Sequence, residues 1–501
     1  MGKKPGLKKN FLFSISYQII AVVLPLITTP YLARVFGASN VGVFSKTQAF
    51  AHYFLLFSML GVNNYGNRAI ARVRNDKYEM SKTFWEIYTF QVFMSVICSS
   101  LYLGYCLLIA TENKIIYLLQ GVYVIHAMFD INWCCFGMEK FKLTAIRSSL
   151  VKILSAICVF TFVKGPEDVW LYTLIYGVGL LLSVLAVWPF VLRHIVFVKP
   201  TLDGIKKHIK PNLILFWPVV AVSIYNIMDR IMLGWMSADE EVGFYTYAER
   251  IITVPTTLIL ALDNVVMPRM SNLYVREGNS KHINFLMDSV MMFAMFMAGA
   301  MAFGAAGISD IFATWFYGDG FARCGFFILL LSPVVIFKGW AGALRTQFII
   351  PTGRDKIYVI SLTAGAVINV ILNVLLIPKM NGIGAIIGTL GAEFAVCFIQ
   401  FFCCRKDINI KEYLINGASF CIIGAIMFFV IKALRDVSSN PVLTMALQII
   451  CGGLLYTLLA GFYMVKLIKK PVLVNEMLKV LRIKYRFKEN RGTTDDGNNV
   501  E

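Results

Sequence analysis

The chain has 501 residues, 58% of them hydrophobic, and a mean hydropathy of +0.69. A soluble fold of this length cannot bury so much apolar surface, so composition excludes a soluble globular protein and predicts a polytopic membrane protein. The net charge of +18 would point to nucleic acid in a soluble protein, but in a membrane protein it belongs in cytoplasmic loops, where it fixes topology.

Lys3, Lys4, Lys8 and Lys9 precede an apolar run too long for a signal-peptide core and without a small-residue cleavage site. That run reads as the first span, with the N-terminus in the cytoplasm. Fourteen apolar segments follow one another at approximately 12–36, 41–62, 83–109, 115–137, 144–163, 169–192, 213–236, 243–268, 285–307, 324–350, 357–377, 383–402, 413–431 and 442–465. Each is long enough for a membrane-spanning helix. With the N-terminus inside, 34 of the 47 Lys and Arg fall on cytoplasmic ends and loops. Only 6 (Lys114, Lys164, Arg323, Lys379, Lys432 and Arg435) fall outside, and 7 lie within segments. That alternation predicts an all-α polytopic fold of about 14 transmembrane helices with both termini cytoplasmic.

The expected outer loops are short, such as Gly37–Asn40 and the acidic Ser237–Glu241. The larger polar pieces are cytoplasmic: a linker from Arg193 to Lys210 and the tail after Lys466. In that tail, apolar pairs such as Val472-Leu473 and Met477-Leu478 alternate with Lys479, Arg482, Lys484 and Arg486. This suits either a basic helix on anionic lipid or a solvated basic face that serves orientation alone. The polar stretch from Glu489 to Glu501 has the composition of a disordered end.

Sliding the chain by 201 residues superposes Lys9 on Lys210, Leu12 on Leu213, Leu32 on Leu233, Val41-Gly42 on Val242-Gly243, Asn63 on Asn264 and Arg68 on Arg269. Six spans separate the copies, so both have the same orientation, the signature of a parallel repeat. The expected organisation is an N-lobe of spans one to six (1–200), a C-lobe of spans seven to twelve (201–405), two further helices (406–470) and a basic tail (471–501). Segment one should face segment seven across the lobe interface.

Charges within the spans carry the functional signal, because they are costly there and face partners or a water-filled cavity. Arg34, Lys46, Asp229, Arg230, Glu249 and Arg250 lie on segments one, two, seven and eight. Four bases against two acids at a lobe interface suit an anionic substrate. Arg230, Arg250, Lys46 and Arg34 would bind it, with Asp229 and Glu249 as charge partners. The alternative is mutual neutralisation across the interface. Adjacent helical residues point about 100° apart, so Asp229 and Arg230 each need a partner from another helix. Asp130 and Glu393 are the deepest remaining acids and the candidates for ion coupling. Gly384, Gly388 and Gly391 read as helix-packing positions, as do Asn369 and Asn373. Pro25, Pro218, Pro255 and Pro333 predict bends.

No P-loop, metal motif or catalytic constellation is present in the sequence, so neither an enzyme nor a cofactor is expected. The eleven cysteines include no CxxC pair, and the five histidines have no metal-ligand spacing.

Longer stretches add a resemblance. Leu32 to Phe44 (LARVFGASNVGVF) and Leu60 to Ala71 (LGVNNYGNRAIA) resemble the first two helices of Wzx-type oligosaccharide flippases. Tyr225 to Gly234 (YNIMDRIMLG), followed by EVGFY, resembles that family's seventh helix and the start of its eighth; Asn369 to Glu393 is similar to its eleventh and twelfth. The superfamily also contains MATE exporters and the lipid II flippase. The resemblance implies transfer of undecaprenyl-pyrophosphate-linked sugar units between leaflets of the bacterial plasma membrane by two alternating lobes with a cationic cavity. It places Asp229 and Arg230 in the cavity lining and matches Arg34 to an arginine at the outer end of helix one. The implied partners are the lipid-linked oligosaccharide, membrane lipids and polysaccharide-assembly proteins such as a polymerase, with no nucleic acid. The readings held against it are a MATE-like cation antiporter, which would favour acids over bases in its cavity, and a flippase for lipid II or a teichoic-type precursor.

Overall fold

The structure is a computed structural model and describes residues 7–277 and 281–467. The basic tail expected at 471–501 lies outside the described residues. All described elements are helical. In chain order they are α1 (Leu7–Met59), α2 (Val62–Val73), α3 (Lys77–Leu108), α4 (Lys114–Phe129), α5 (Asn132–Gly137), α6 (Phe141–Phe162), α7 (Val169–Leu185), α8 (Trp188–His194) and α9 (Leu202–Met236). Then come α10 (Asp239–Glu277), α11 (Lys281–Tyr317), α12 (Ala322–Leu331), α13 (Pro333–Leu344), α14 (Asp355–Met380), α15 (Gly382–Cys404), α16 (Ile410–Ala433) and α17 (Pro441–Phe462).

Among the described residues, nine helices are long and apolar enough to cross a membrane, and eleven if each of two bent pairs is one span. The other three expected spans fall on α1, which carries two, and on α6. The chain is thus a multi-pass helical membrane protein, and the fourteen spans are not reached by this measure. Apolar surface that would be intolerable in water supports the reading: Leu108 is 87% exposed and Phe93 63%.

Local chemistry explains the breaks. The 53-residue α1 is two helices merged across Gly37, whose φ of 69° is open to glycine at little cost. Pro25 and Pro30 lie inside α1, yet the break falls at Gly37. The α12–α13 pair bends by 41° before Pro333, which takes the first-turn position where its missing N–H costs nothing. Asp76 caps α3 by accepting from the N–H groups of Tyr78 and Glu79, and Asn440 caps α17 in the same way.

Two pieces expected as loop are helix. Val62–Val73 forms α2, and the second half of the cytoplasmic linker joins α9, whose first turn Thr201 caps. The rest of the linker is tied to α3, since Trp85 Nε1 donates to the Val196 carbonyl and Val196 N–H donates to Ser81 Oγ, both at 3.0 Å.

Two compact units divide the chain, with boundaries inside α10, α11, α12, α14 and α15. The first contains the described residues of Met1–Glu249 with Ala313–Phe327 and Leu362–Ala392. Its core gathers Phe84, Ile87, Ile70, Trp133 and Val191, all fully buried. The motif Leu60–Gly66 is legible here: Gly61, at φ 82°, opens α2 against α9, where a Cβ would lie 2.8 Å from the Asn212 carbonyl oxygen. Gly66 lies beneath the Trp133 ring, which a Cβ would meet at 2.6 Å. Inside this unit Gln91 joins α3 to the end of α4, donating to the Ala127 and Asp130 carbonyls and accepting from Trp133 Nε1.

The second unit holds Arg250–Phe312, Ile328–Ser361 and the described residues of Glu393–Glu501. Here α16 and α17 pack on each other and on α11. Tyr456 Oη donates to the Phe296 carbonyl at 2.8 Å, Tyr413 Oη donates to Asp288 at 2.5 Å, and Gly417 makes room for Trp340.

Candidate functional site

The site lies within the first unit, where α9 meets α10, α14 and α15. The helix α9 bends by 48° between Leu202–Ile224 and Asn226–Met236, and Asp229 and Arg230 sit on its second part. Their side chains diverge, as neighbours on a helix must.

Asp229 is 1% exposed and is held by neutral donors alone. Tyr245 Oη and Thr389 Oγ1 each approach Oδ2 at 2.7 Å, and Asn373 Nδ2 donates to Oδ1 at 2.5 Å. Tyr245 and Thr389 also touch, at 2.8 Å. Their two hydroxyl protons can both serve the carboxylate, which leaves none for the contact between them. Asn373 also donates to Asn369 Oδ1 at 3.3 Å, and Gly388 leaves room for Asn373, whose Oδ1 a Cβ would meet at 2.1 Å. Asp229 was expected as a charge partner for the basic residues; it sits in a cage of hydroxyls and amides instead. Those neutral oxygens around one buried carboxylate suit a proton or a small hard cation. Among the described residues, no three His, Cys, Asp or Glu side chains cluster as a metal site.

Arg230 turns the other way. Its Nη2 donates to Glu249 Oε2 at 2.7 Å, with the two side chains 25% and 22% exposed, while its buried Nε has no hydrogen-bond partner. Glu249 lies on α10 and faces Arg230 from there. Arg250, the next residue, is exposed and belongs to the second unit.

Lys46 is 6% exposed and is not open to a ligand. It lies across Gly234 and brings its Nζ to 2.5 Å from Asp239 Oδ1. Asp239, expected in an outer loop, is the first residue of α10. Its neighbour Glu241 joins Arg323 at 2.8 Å and accepts from Gly382 N–H at 2.9 Å. Arg34 is exposed and donates to the Trp315 carbonyl at 2.7 Å. Of the acids expected to couple ions, Asp130 caps the turn into α5 by accepting from Asn132, and Glu393, in the second unit, pairs with Lys338 at 3.0 Å.

Sequence reasoning missed Tyr245 and Thr389 and gave Asn373 a packing role. It also passed over a buried cluster on α2, α3 and α9. There Glu86 Oε2 meets His208 Nε2 at 3.0 Å and Lys207 Nζ at 3.2 Å, and Tyr65 Oη meets His208 Nδ1 at 2.7 Å. Neither set has a fixed spacing in the chain; the only available signal was a polar residue inside an apolar segment.

With this geometry in view, the chain can be placed among known proteins. It belongs to the family described as polysaccharide biosynthesis protein, which matches residues 7–274. It is similar to a protein of Escherichia coli (strain K12) named "Putative O-antigen transporter", at 23% identity over 409 residues, covering 81% of this chain and 98% of that protein. A lipid II flippase MurJ of Bacillus subtilis (strain 168) is 25% identical over 230 residues, 43% of this chain and 42% of that protein. The fold is similar to the inward closed conformation of a lipid II flippase MurJ, with a TM-score of 0.75 at 18% identity, covering 91% of this chain and all (100%) of that one. It is also similar to an inward-facing MATE family transporter of the MOP superfamily, with a TM-score of 0.60 at 14% identity, covering 78% and 95% of the two chains.

Proposed function

We propose that this chain is a flippase that carries undecaprenyl-pyrophosphate-linked oligosaccharide repeat units from the inner to the outer leaflet of a bacterial plasma membrane, for surface polysaccharide synthesis. The observation that carries this reading is Arg230, a guanidinium deep in an apolar helix, only partly engaged by Glu249 and with its Nε–H unpartnered. A planar cation with a spare donor matches a phosphate oxygen, and a buried cation is retained only where something repays its desolvation. The family and the Escherichia coli relative's name support a polysaccharide precursor as cargo. The charge bias of the loops orients the protein with both termini in the cytoplasm.

In this mechanism Arg230 attracts the pyrophosphate, Glu249 holds the guanidinium until it arrives, and the lipid tail stays in the bilayer. Asp229, in its neutral cage, takes up and releases a proton or small cation and so ties the cycle to a gradient. One charge crossing the membrane is worth about 2.3 kcal/mol per 100 mV. Asp130 and Glu393 then act structurally, as a turn cap and an ion-pair partner. Arg34 supplies further positive charge for the anionic headgroup.

The test is complementation of a strain that lacks its own repeat-unit transporter. The chain restores surface polymer, and Arg230→Ala abolishes it while the protein accumulates in the membrane. Normal polymer from Arg230→Ala would refute the role given to Arg230.

A further inference from the structure

Two glycines meet two carbonyl groups in a reciprocal pair. A Cβ on Gly42 would lie 1.7 Å from the Asp239 carbonyl oxygen, and a Cβ on Gly243 would lie 2.1 Å from the Ala38 carbonyl oxygen. From 42 to 243 and from 38 to 239 the step is the same 201 residues, the offset of the internal repeat. One contact therefore occurs twice, related by the repeat's own symmetry. It crosses the N-terminal turn of the helix that follows Gly37 with the N-terminal turn of α10, as Ala38-x-x-x-Gly42 against Asp239-x-x-x-Gly243. A glycine on each helix at the crossing lets the two approach to backbone contact.

The glycines are required by this geometry. Each would-be neighbour is a backbone atom, so no side chain can rotate away to admit a methyl group. At Gly42 the turns would have to part by about 1.7 Å to bring a Cβ from 1.7 Å to an ordinary contact distance of 3.4 Å. Lys46, one turn beyond Gly42, spans the same junction to the Asp239 carboxylate, so Asp239 provides both the carbonyl under Gly42 and the anion for Lys46.

We propose that this glycine–carbonyl pair closes the outer side of the transport path and separates once in each cycle, with Gly42 and Gly243 as its positioning residues. The inference rests on the flippase reading and on its orientation. A junction of backbone against backbone suits a closure that must open repeatedly, because it parts without repacking side chains and leaves one ion pair to break.

The experiment places a reporter below the junction. Tyr53, whose hydroxyl donates to the Ser223 carbonyl at 3.1 Å, lies three turns further along α1. Tyr53→Cys is labelled in intact cells with a membrane-impermeant maleimide, and labelling is read by mass spectrometry on the peptide that contains residue 53, which keeps the native cysteines out of the signal. Gly42→Ala and Gly243→Ala each raise labelling several-fold and by similar amounts, because the contact is symmetric. Gly104→Ala, with no atom near its would-be Cβ, leaves labelling unchanged. Labelling equal to that of Gly104→Ala in both glycine variants overturns the proposal. If the alanine variants do not accumulate, Asp239→Asn, which removes the ion pair and keeps the backbone, must still raise labelling. No rise there overturns the proposal equally. Complementation by the unaltered chain is scored in parallel; its failure alongside raised labelling removes the transport reading and leaves the closure standing.

Discussion

Asn373 donates to Asp229 at 2.5 Å from a position 144 residues further along the chain. That one bond ties α14 to the second part of α9, and Thr389 adds α15 at the same carboxylate. The cage is then a tertiary object, and removing a donor has a defined cost.

Asn373→Ala removes one of three hydrogen bonds to a carboxylate that is wholly buried. A hydrogen bond to a charged group contributes about 1.5–3 kcal/mol, so the detergent-solubilised protein should unfold several degrees lower. Asp229→Asn should cost less than Asp229→Ala, because the amide keeps an oxygen for Tyr245 or Thr389. An unfolding midpoint for Asn373→Ala equal to that of the parent would show that this bond contributes nothing.

How much of this was legible in the sequence follows from distance along the chain. The pair Asp229-Arg230 stood out because it interrupts an apolar run, and helical geometry required its members to face different neighbours. Which neighbours could not be read, because Asn373 and Thr389 reach Asp229 only after α14 and α15 pack against α9. The repeat was legible as Val41-Gly42 and Val242-Gly243, and its residues meet at a reciprocal contact. Lys46 was read as substrate-binding from its charge within a span, and its contact with Asp239 could not be read because that acid, placed in an outer loop, is the first residue of a helix laid across it. The apolar helices were legible, since hydrophobicity alone specifies them in a membrane, whereas α2 and the first part of α9 were not, because their sequences are polar and read as loop.

Arg230 and Glu249 should couple in a double-mutant cycle. Each side chain is about three-quarters buried, so each single alanine variant leaves the other charge in poor surroundings. The double variant should therefore be more stable than the two single losses imply, by on the order of 1 kcal/mol. Strictly additive midpoints would mean that the 2.7 Å pair is energetically idle.

Arg354 and Asp407 form a two-pronged pair between the loop before α14 and the loop after α15, at 2.6 and 2.9 Å. The hydrogen bonds from Arg354 hold the Asp407 carboxyl below its usual range. A depressed folded-state value means that the stabilisation is present above the unfolded value of about 3.9 and is lost as pH falls through the lower folded value. Asp407→Asn should therefore lower the unfolding midpoint slightly at pH 7, and the difference should shrink progressively as pH falls below about 3.9. The pair is exposed, so the shift at pH 7 should be small. A difference that did not shrink as the pH is lowered from 4 would assign the effect to something other than the charge.

Gly204 gives the sharpest packing prediction. The Glu86 carboxylate lies against the first turn of α9 so closely that a Cβ on Gly204 would sit 1.9 Å from Oε1 and 2.4 Å from Cδ. Glu86 is 1% exposed, and its Oε2 is occupied by His208 and Lys207, so the carboxylate cannot retreat without breaking those contacts. With neutral His208 the chain of donors closes: Tyr65 Oη donates to Nδ1, and Nε2–H donates to Glu86. Gly204→Ala should overpack this junction at a cost of about 1–3 kcal/mol and loosen the start of α9, read as a lower unfolding midpoint and faster proteolysis near residue 201. Removing the carboxylate vacates the space, so Gly204→Ala combined with Glu86→Ala should cost less than the sum of the two. Full additivity would show that the methyl group and the carboxylate never compete for the same volume.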